Sequence, residues 1–478
     1  MRTIARKPLL RVTIRRRKAI FECRPDDAFL LEDLLSYQHP RADYISSVQS
    51  GDWDGMICLV RNGKAQVGLF HAYREEIEKL YRVKVTVEEE PPLAFRDLPA
   101  QTEERPYQKR AVAAMIDATV KLGGGIILSA TGSGKTWLAG DYFRRLTGTG
   151  VFVVDELTLL EQARRELSKA IGEKVGIVGN SQYAPERITV ATIQTLHKHR
   201  RKQAFRNWFR KVDVLLVDEL HVQLNRRNLD VITRIRPRAV FGLTATLQLK
   251  KAHVRLPAMA LAGPVIFEYG LEEGVKEGYL SKGRIVIVPF NDTLKGQAPG
   301  YKNAAGKKIA AGSPIAEYRR HICLNKSRND LVEKYARLAL AKGRKVFILV
   351  ERVMHLRILE KRFADVKHYA LSGQVDKEVR LEAMREMDAG QLNLVLATRV
   401  FGKGVDVRRV DCIIDATGKP SRNNALQRYG RGSRKTEGKK DLLYYDISDR
   451  NSTFAVAAWT RLRALRETGA PIIKLKKG

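Results

Sequence analysis

The stretch from Gly125 to Thr136 constrains this chain more than any other. It reads Gly-Ile-Ile-Leu-Ser-Ala-Thr-Gly-Ser-Gly-Lys-Thr. An apolar run ends in a loop of small residues, and a helix is predicted from Trp137 to Leu146. Strand, glycine loop and helix N-terminus in that order make a phosphate cradle. Backbone N–H groups close around phosphate oxygens only where no side chain holds the ligand away. Thr131, Gly132, Ser133 and Gly134 form the loop. Lys135 is placed to reach the β- and γ-phosphates of a nucleoside triphosphate, and Thr136 to offer its hydroxyl to Mg²⁺. Ser129 stands where the pattern usually has its first glycine. A strand–loop–helix unit of this kind belongs to an α/β fold with a parallel sheet.

A P-loop needs an acidic partner, and two segments compete for the role. Phe152-Val153-Val154-Asp155-Glu156 and Val214-Leu215-Leu216-Val217-Asp218-Glu219-Leu220-His221 are both apolar strands ending in Asp-Glu. Either Asp could hold Mg²⁺ while its Glu polarises water. The crossover from the P-loop makes Val151–Val154 the very next strand. The acidic strand is expected to lie beside the P-loop strand and to arrive later in the chain. Asp218 and Glu219 are therefore assigned the chemistry, and Asp155 and Glu156 a structural role. Upstream, Gln108 follows Arg105 at the start of a helix predicted over Arg110 to Val120. Its amide carries a donor and an acceptor, as the N6/N7 edge of adenine requires.

Charge decides the class of partner. The chain has 478 residues, a net charge of +34 and a pI near 10.1, which points to a polyanion such as nucleic acid. No long apolar span suggests a membrane. Cys23, Cys58, Cys323 and Cys412 lie far apart with no metal-ligand spacing, as expected of reduced thiols in a cytoplasmic protein. Thr192 and Gln194, at the end of a strand, have groups suited to sugar–phosphate contacts. The run His197 to Lys202 is either a solvated face or a phosphate contact. Phe205, Trp208, Phe209 and Val212 recur at helical spacing and read as a buried face rather than a stacking platform. Thr244-Ala245-Thr246 follows the strand Ala239–Leu243, where its hydroxyls could sense the nucleotide and relay to a bound strand.

The domain plan follows from breaks and restarts of pattern. Residues 1–92 form a small α/β domain, with strands at Leu9–Ile14 and Ala19–Cys23 and a helix from Asp27 to Leu35. A hairpin of Met56–Arg61 and Gln66–Leu69 turns at Asn62-Gly63. Trp53, among glycines and acids, is expected to pack in a turn, with a nucleic-acid contact as the alternative. Glu88 to Pro92 is the break. The first nucleotide-handling unit runs over 93–264, a connector over 265–283 and a second α/β unit over 284–450. A helix and basic tail occupy 451–478. The second unit has no P-loop. It has strands at Lys345–Val350, Leu392–Ala397 and Asp411–Asp415, the segment Thr398 to Asp406, and Gln427-Arg428-Tyr429-Gly430-Arg431-Gly432-Ser433-Arg434. Always-charged planar guanidinium groups suit the electrophilic half of an ATP site.

In this order the pieces resemble the superfamily 2 helicases of the DExH type. Gly125–Thr136 resembles their motif I, Asp218-Glu219-Leu220-His221 motif II and Thr244-Ala245-Thr246 motif III. Thr398–Asp406 resembles motif V, Gln427–Arg434 motif VI, and Arg105–Gln108 their adenine-reading segment. Trp53-Asp54-Gly55 and Leu371-Ser372-Gly373-Gln374-Val375-Asp376 are similar to elements of the phage UvsW helicase family. The resemblance implies two RecA-like parallel-sheet lobes behind the N-terminal accessory domain, with ATP and Mg²⁺ as cofactors. It implies that Asp218 is a metal carboxylate and that Glu219 activates water. His221 and Gln427 would couple the lobes, and Arg431 and Arg434 would face the γ-phosphate, Arg434 as the finger. Gly404 and Asp406 would touch ribose or phosphate, and Thr398 and Arg399 the nucleic acid. The activity implied is an ATP-dependent DNA helicase or branch-migration translocase, monomeric and cytoplasmic, acting on forked, branched or single-stranded DNA alongside replication and recombination proteins. An RNA helicase, a double-strand motor and a non-catalytic clamp are the alternatives. The usual Pro-Thr of motif Ia is replaced by Asp155-Glu156, and Leu220 stands for a more usual Ala or Cys. The insertion Thr293–Gly312 is either a strand-parting wedge or a disordered loop.

Overall fold

The computed structural model describes residues 7–88, 91–99, 104–281, 283–303, 306–398, 409–435, 438–450 and 453–475. Backbone contacts divide the chain into two compact units, one of residues 1–129 with 134–269 and the other of residues 270–478 together with the loop 130–133. Among the described residues no helix is long and apolar enough to cross a membrane.

The first unit is organised by an eight-stranded sheet. Its order is Gln182–Ala184, Gly176–Gly179, Ile188–Thr192, Gly150–Val154, Val214–Val217, Ala239–Thr244, Gly124–Ser129, Val265–Tyr269. Every pairing is parallel except that of Gln182–Ala184 with Gly176–Gly179. The central strands are buried along their whole length, as continuous apolar runs covered on both faces should be. The helices Pro106–Lys121, Lys135–Arg145 and Leu157–Ile171 lie on one face, packed around Tyr142 and Phe143. The other face is covered by Gln203–Phe209, Arg226–Ile235 and Ala252–Ala262.

Two expectations are corrected here. The acidic strand Val214–Val217 does not lie beside the P-loop strand Gly124–Ser129, because Ala239–Thr244 pairs with both and separates them. The argument from adjacency therefore fails, although the strands are parallel and their C-terminal ends still meet at one edge. Within the stretch read as a connector, Val265–Tyr269 forms the edge strand beside the P-loop strand, and Tyr269 stacks on Tyr107 at 3.8 Å between ring centroids. Its apolar residues are interrupted by Glu268, which hid the strand pattern.

The N-terminal residues fold as a four-stranded sheet, ordered Lys64–Gln66, Lys18–Glu22, Leu9–Arg15, Arg82–Val87, with helices against one face. The expected hairpin is a third correction. Asn62 and Gly63 do turn the chain with positive φ, and Arg61 bridges Lys64. The flanking segments then diverge: Met56–Cys58 pairs with Ser36–Gln38, Lys64–Gln66 pairs with Lys18–Glu22, and Val67–Ala72 is a helix. Val67, Gly68, Leu69 and Phe70 are all buried, which a helix wedged between two cores permits and an alternating strand does not.

That helix docks onto Ala252–Ala262. A Cβ on Gly68 would stand 2.3 Å from the Met259 carbonyl oxygen, so only glycine allows this approach. Leu256 belongs to the N-terminal core cluster. The buried Arg17 guanidinium donates to the Gly123 carbonyl at 2.5 Å and to the Leu261 carbonyl, with burial lowering its pKa to about 10. Trp53 is half-buried, its Nε1 donates to the Met56 carbonyl at 3.0 Å, and its ring lies against His39.

The second unit holds a seven-stranded sheet, ordered His368–Leu371, Leu394–Ala397, Val346–Leu349, Cys412–Asp415, Leu442–Asp449, Gly283–Phe290, Ile472–Lys474, all parallel. The last strand comes from the segment read as a tail, and Ala455–Arg466 is the helix before it. Three buried arginines tie helices to the sheet. Arg328 donates to Asp449 at 2.9 Å, Arg428 to Asp415 at 2.6 Å and Arg461 to Asp446 at 2.6 Å. Within the insertion 293–312, Tyr301–Lys302 pairs with Lys308–Ile309, and Arg320 donates to the carbonyls of Lys295, Gly296 and Gln297. The described part of that insertion is thus a folded hairpin.

Candidate functional site

The P-loop is shaped by two left-handed glycines, Gly132 at φ 89° and Gly134 at φ 85°. Gly134 serves two purposes. Its backbone conformation suits glycine, and a Cβ there would fall 2.8 Å from Gln108 Nε2. Gln108 is itself fixed: buried, with its Oε1 accepting from the Arg105 N–H at 3.0 Å. The Arg105 side chain donates to the Tyr107 hydroxyl at 3.1 Å. Proline at the first turn of Pro106–Lys121 presets that helix start. The adenine-reading candidates thus stand against the phosphate loop they are meant to serve. Lys135 begins the helix Lys135–Arg145, and its Nζ lies 3.3 Å from the Ser129 carbonyl oxygen. Thr131 and Thr136 are half-buried and Ser133 is buried.

Asp218 and Glu219 arrive at this edge from Val214–Val217. Asp218 donates its backbone N–H to the Val153 carbonyl at 2.9 Å and accepts the Glu219 N–H on Oδ1 at 2.9 Å. Glu219 has φ 46° and ψ 52°, a left-handed conformation costly for a residue of this size, which turns the chain sharply out of the strand. Burial and the Glu219 carboxylate push the Asp218 carboxyl up to about 7, against the pull of the Lys135 ammonium. Asp155, at the end of the adjacent strand, adds to that push. Both acidic segments therefore end at the same edge, and the Asp155 carbonyl accepts from Gln194 Nε2 at 2.5 Å.

Two crowded carboxyl groups close enough to feel the Lys135 ammonium fit a hard divalent cation. Asp218 and Thr136 would hold Mg²⁺, with phosphate oxygens completing the set. Among the described residues no cluster of three or more His, Cys, Asp or Glu could hold a metal alone.

From the acid a chain of close polar contacts leads along the strand ends, hydrogen-bonded from His221 onward. Glu219 Oε2 lies 3.4 Å from His221 Nδ1, His221 Nδ1 lies 2.9 Å from Thr244 Oγ1, and Thr244 Oγ1 accepts the Thr246 N–H at 3.2 Å. Thr244 and Thr246 are buried, so they suit relay rather than direct contact with a strand. Thr192 does not suit its expected contact either. It is fully buried, and its hydroxyl bonds Thr195 Oγ1 at 2.9 Å across the start of the helix Ile193–His199. Gln194 is exposed.

In the second unit, Gln427 and Arg431 lie four residues apart on the helix Arg422–Gly432, capped by Ser421. Arg434 follows in a bridge with Leu280. Arg428, between them, is the residue that sequence reasoning passed over. It is buried against Asp415, whose carboxyl also accepts from Thr417 and Tyr444. Burial alone would raise the Asp415 pKa, but Arg428 and Arg461 hold it well below the usual carboxylate range. The signal was present in the sequence as a lone Asp at the end of Cys412–Asp415. Thr398 is buried at the end of Leu394–Ala397. Arg399, Gly404 and Asp406 lie outside the described residues.

Comparison with known proteins agrees with this layout. Residues 101–249 match the family described as type III restriction enzyme, res subunit, and residues 328–436 the helicase conserved C-terminal domain. The chain is 24% identical over 418 residues to the DNA 3'-5' translocase XPB2 of Sulfurisphaera tokodaii, covering 80% of this chain and 90% of that one. It is 22% identical over 465 residues to the ATP-dependent DNA helicase uvsW of Enterobacteria phage T4, covering 90% and 88%. In fold it is similar to S. cerevisiae Dbp5 bound to RNA and ADP BeF3, at a TM-score of 0.53 and 14% identity, covering 77% of this chain and 89% of that one. The first match contains the P-loop and the Asp-Glu-Leu-His turn, and the second contains Gln427, Arg431 and Arg434. The chain therefore belongs to the superfamily 2 helicases, as an ATP-hydrolysing enzyme with two RecA-like lobes that resembles the phage UvsW helicases.

Proposed function

We propose that this protein is a DNA translocase that uses Mg²⁺-ATP to remodel forks and branched recombination junctions. The observation that carries the reading is the linked path from Glu219 through His221 to Thr244 and Thr246 beside the P-loop. It runs from the carboxylate proposed to activate water to the segment that ends the neighbouring strand. The names of the two sequence relatives, a DNA translocase and a DNA helicase, favour DNA over RNA as the track. The charge of +34 supplies the sequence-independent affinity a translocase needs.

In this reading Gln108 and Arg105 hold the adenine, and the loop Thr131–Gly134 and Lys135 hold the phosphates. Asp218 and Thr136 hold Mg²⁺, which when bound neutralises phosphate charge. Glu219 accepts a proton from the attacking water, and His221 keeps that carboxylate oriented. Arg431 and Arg434 stabilise charge on the γ-phosphate oxygens, and Gln427 couples nucleotide state to the second lobe. Gly404 and Asp406 take ribose or phosphate. Gln194, which is exposed, contacts the tracked strand, whereas the buried Thr398 closes the end of its own strand. Residues 1–92 provide the preference for junctions, and the hairpin within 293–312 provides the edge on which a duplex parts. The protein works as a monomer in the cytoplasm, the host's if a phage encodes it.

The test is ATP turnover and strand separation on matched substrates: a DNA fork, a four-way DNA junction, single-stranded DNA and an RNA duplex. The reading expects DNA to stimulate turnover at least tenfold, with forks and junctions processed faster than simple tailed duplexes. Stimulation by RNA alone would replace it with an RNA helicase, and no stimulation by either would leave a clamp.

A further inference from the structure

The segment that follows the helix Arg422–Gly432 is clasped by a lysine from further along the chain. Lys439 Nζ donates to the Gly432 carbonyl at 2.7 Å and to the Arg434 carbonyl at 2.8 Å. Gly432 ends the helix, so its carbonyl is among the acceptors that helix geometry leaves without an intrahelical partner. A cation at this end is also favoured by the helix dipole. The Arg434 carbonyl lies two residues further on, outside the helix. One ammonium thus ties the helix end to the backbone of the arginine that follows it.

The same stretch of backbone is fixed by a second segment. The Ser433 carbonyl accepts the Ser281 N–H at 2.6 Å, Ser281 Oγ donates to the Arg434 carbonyl at 3.4 Å, and Arg434 forms a bridge with Leu280. Ser433 is fully buried, and its hydroxyl turns back to the Tyr429 carbonyl at 2.8 Å.

Lys439 is half-buried and has no carboxylate partner: among the described residues its Nζ meets only the two carbonyls. Burial pulls its ammonium from the usual 10.5 down to about 8, with Asp411 opposing the fall and the Arg434 guanidinium adding to it. The folded value lies below the unfolded one. The ammonium therefore destabilises the fold below about pH 8, and the penalty fades as pH rises towards the unfolded value. A lysine held beside another cation with no acid to balance it is a poor way to stabilise a helix end. It is a good way to fix the point from which the arginine side chain departs.

We propose that Lys439 is a positioning residue for ATP hydrolysis, holding the Arg434 backbone so that its guanidinium meets the γ-phosphate. The inference rests on the reading of Arg434 as the residue facing that phosphate, and names what sets its place. A charge aimed at a transition state acts only if its carrier is fixed beforehand, and a misplacement of about 1 Å can cost on the order of a hundredfold in rate. Lys439 lies outside the arginine pattern of Gln427–Arg434 and acts through main-chain carbonyls that any sequence would offer, so the pattern alone does not reveal it.

The test is a double-mutant cycle in the full chain with Lys439→Met and Arg434→Ala. It reads ATP turnover, the KM for ATP, DNA affinity, and the affinity for ADP with aluminium fluoride, a mimic of the transition state. Lys439→Met should lower kcat and weaken the mimic about tenfold each, with KM and DNA affinity within about twofold. Its melting temperature at pH 7 should stay within about two degrees of the parent's, since the lost hydrogen bonds are offset by removal of the strained ammonium. Lys439→Arg, which keeps donors for both carbonyls, should restore at least about half of the turnover. In the Arg434→Ala background Lys439→Met should cause no further loss, because it acts through that arginine. If Lys439→Met does not fold, Lys439→Gln, which keeps an N–H donor and fills the same space, takes its place in the cycle. Parental turnover in the lysine variant, or its full loss repeated on top of Arg434→Ala, would overturn the inference and leave the role of Arg434 standing. Parental turnover in Arg434→Ala would overturn that role and the inference with it.

Discussion

Gly134 shows how one residue can bind two demands together. It takes a left-handed backbone and leaves the space that Gln108 Nε2 fills. Gly134→Ala should weaken ATP binding at least tenfold, measured by titration with a fluorescent nucleotide, while the fold survives. Asp218 makes a prediction about pH. Its carboxyl holds a proton up to about pH 7 in the folded, nucleotide-free protein. A carboxyl with a raised pKa destabilises the folded state as pH climbs from the unfolded value of about 4 towards about 7. Asp218→Asn should therefore raise the melting temperature at pH 8 by a few degrees and have little effect at pH 4. Mg²⁺-nucleotide affinity, which needs the carboxylate, should fall as pH drops below 7. That Lys135 opens a helix after a glycine loop, and that Asp218 and Glu219 end an apolar strand, was legible in the sequence because both patterns are local. The burial of Thr192 beside Ile193–His199 was not legible, because it depends on the tertiary packing of that helix.

At the level of elements, the sequence carried periodicity well and adjacency badly. The central strands Gly150–Val154, Val214–Val217, Ala239–Thr244, Val346–Leu349, Leu394–Ala397 and Cys412–Asp415 were legible as apolar runs, whereas edge strands such as Val265–Tyr269 and Ile472–Lys474 were not. That Ala239–Thr244 would separate the P-loop strand from the acidic strand was not, since strand order comes from crossovers that leave no local signal. The helix Val67–Ala72 was missed because four residues are too few to distinguish period 2 from period 3.6. Its docking against Ala252–Ala262 changes what truncation would do. Deleting residues 1–92 would uncover Leu256 and Met259 and leave the Gly123 and Leu261 carbonyls without Arg17. The shortened chain should melt lower and aggregate, as light scattering would show, rather than behave as a free-standing motor. Arg17→Ala in the full chain should cost about 2 kcal/mol in urea unfolding, as a buried hydrogen-bonded charge is lost. Arg328→Ala, which strands the buried Asp449, should cost about 3–5 kcal/mol and unfold the second unit first.

Taken whole, the molecule combines a nucleotide engine whose parts come from separate stretches of chain with a surface of +34 that favours polyanions. Glu219, His221 and Thr244 stand together at the strand ends of the first unit. Asp155 and Glu156 end the adjacent strand at the same edge, so the central claim is that hydrolysis belongs to Glu219. Steady-state ATP turnover with saturating single-stranded DNA tests this most directly, using Glu219→Gln and Glu156→Gln side by side with nucleotide binding measured on both. The account predicts that Glu219→Gln binds ATP within a few-fold of the parent and loses at least 99% of turnover, about 2.7 kcal/mol of transition-state stabilisation. It predicts that Glu156→Gln keeps turnover within a few-fold. The reverse ranking would contradict it.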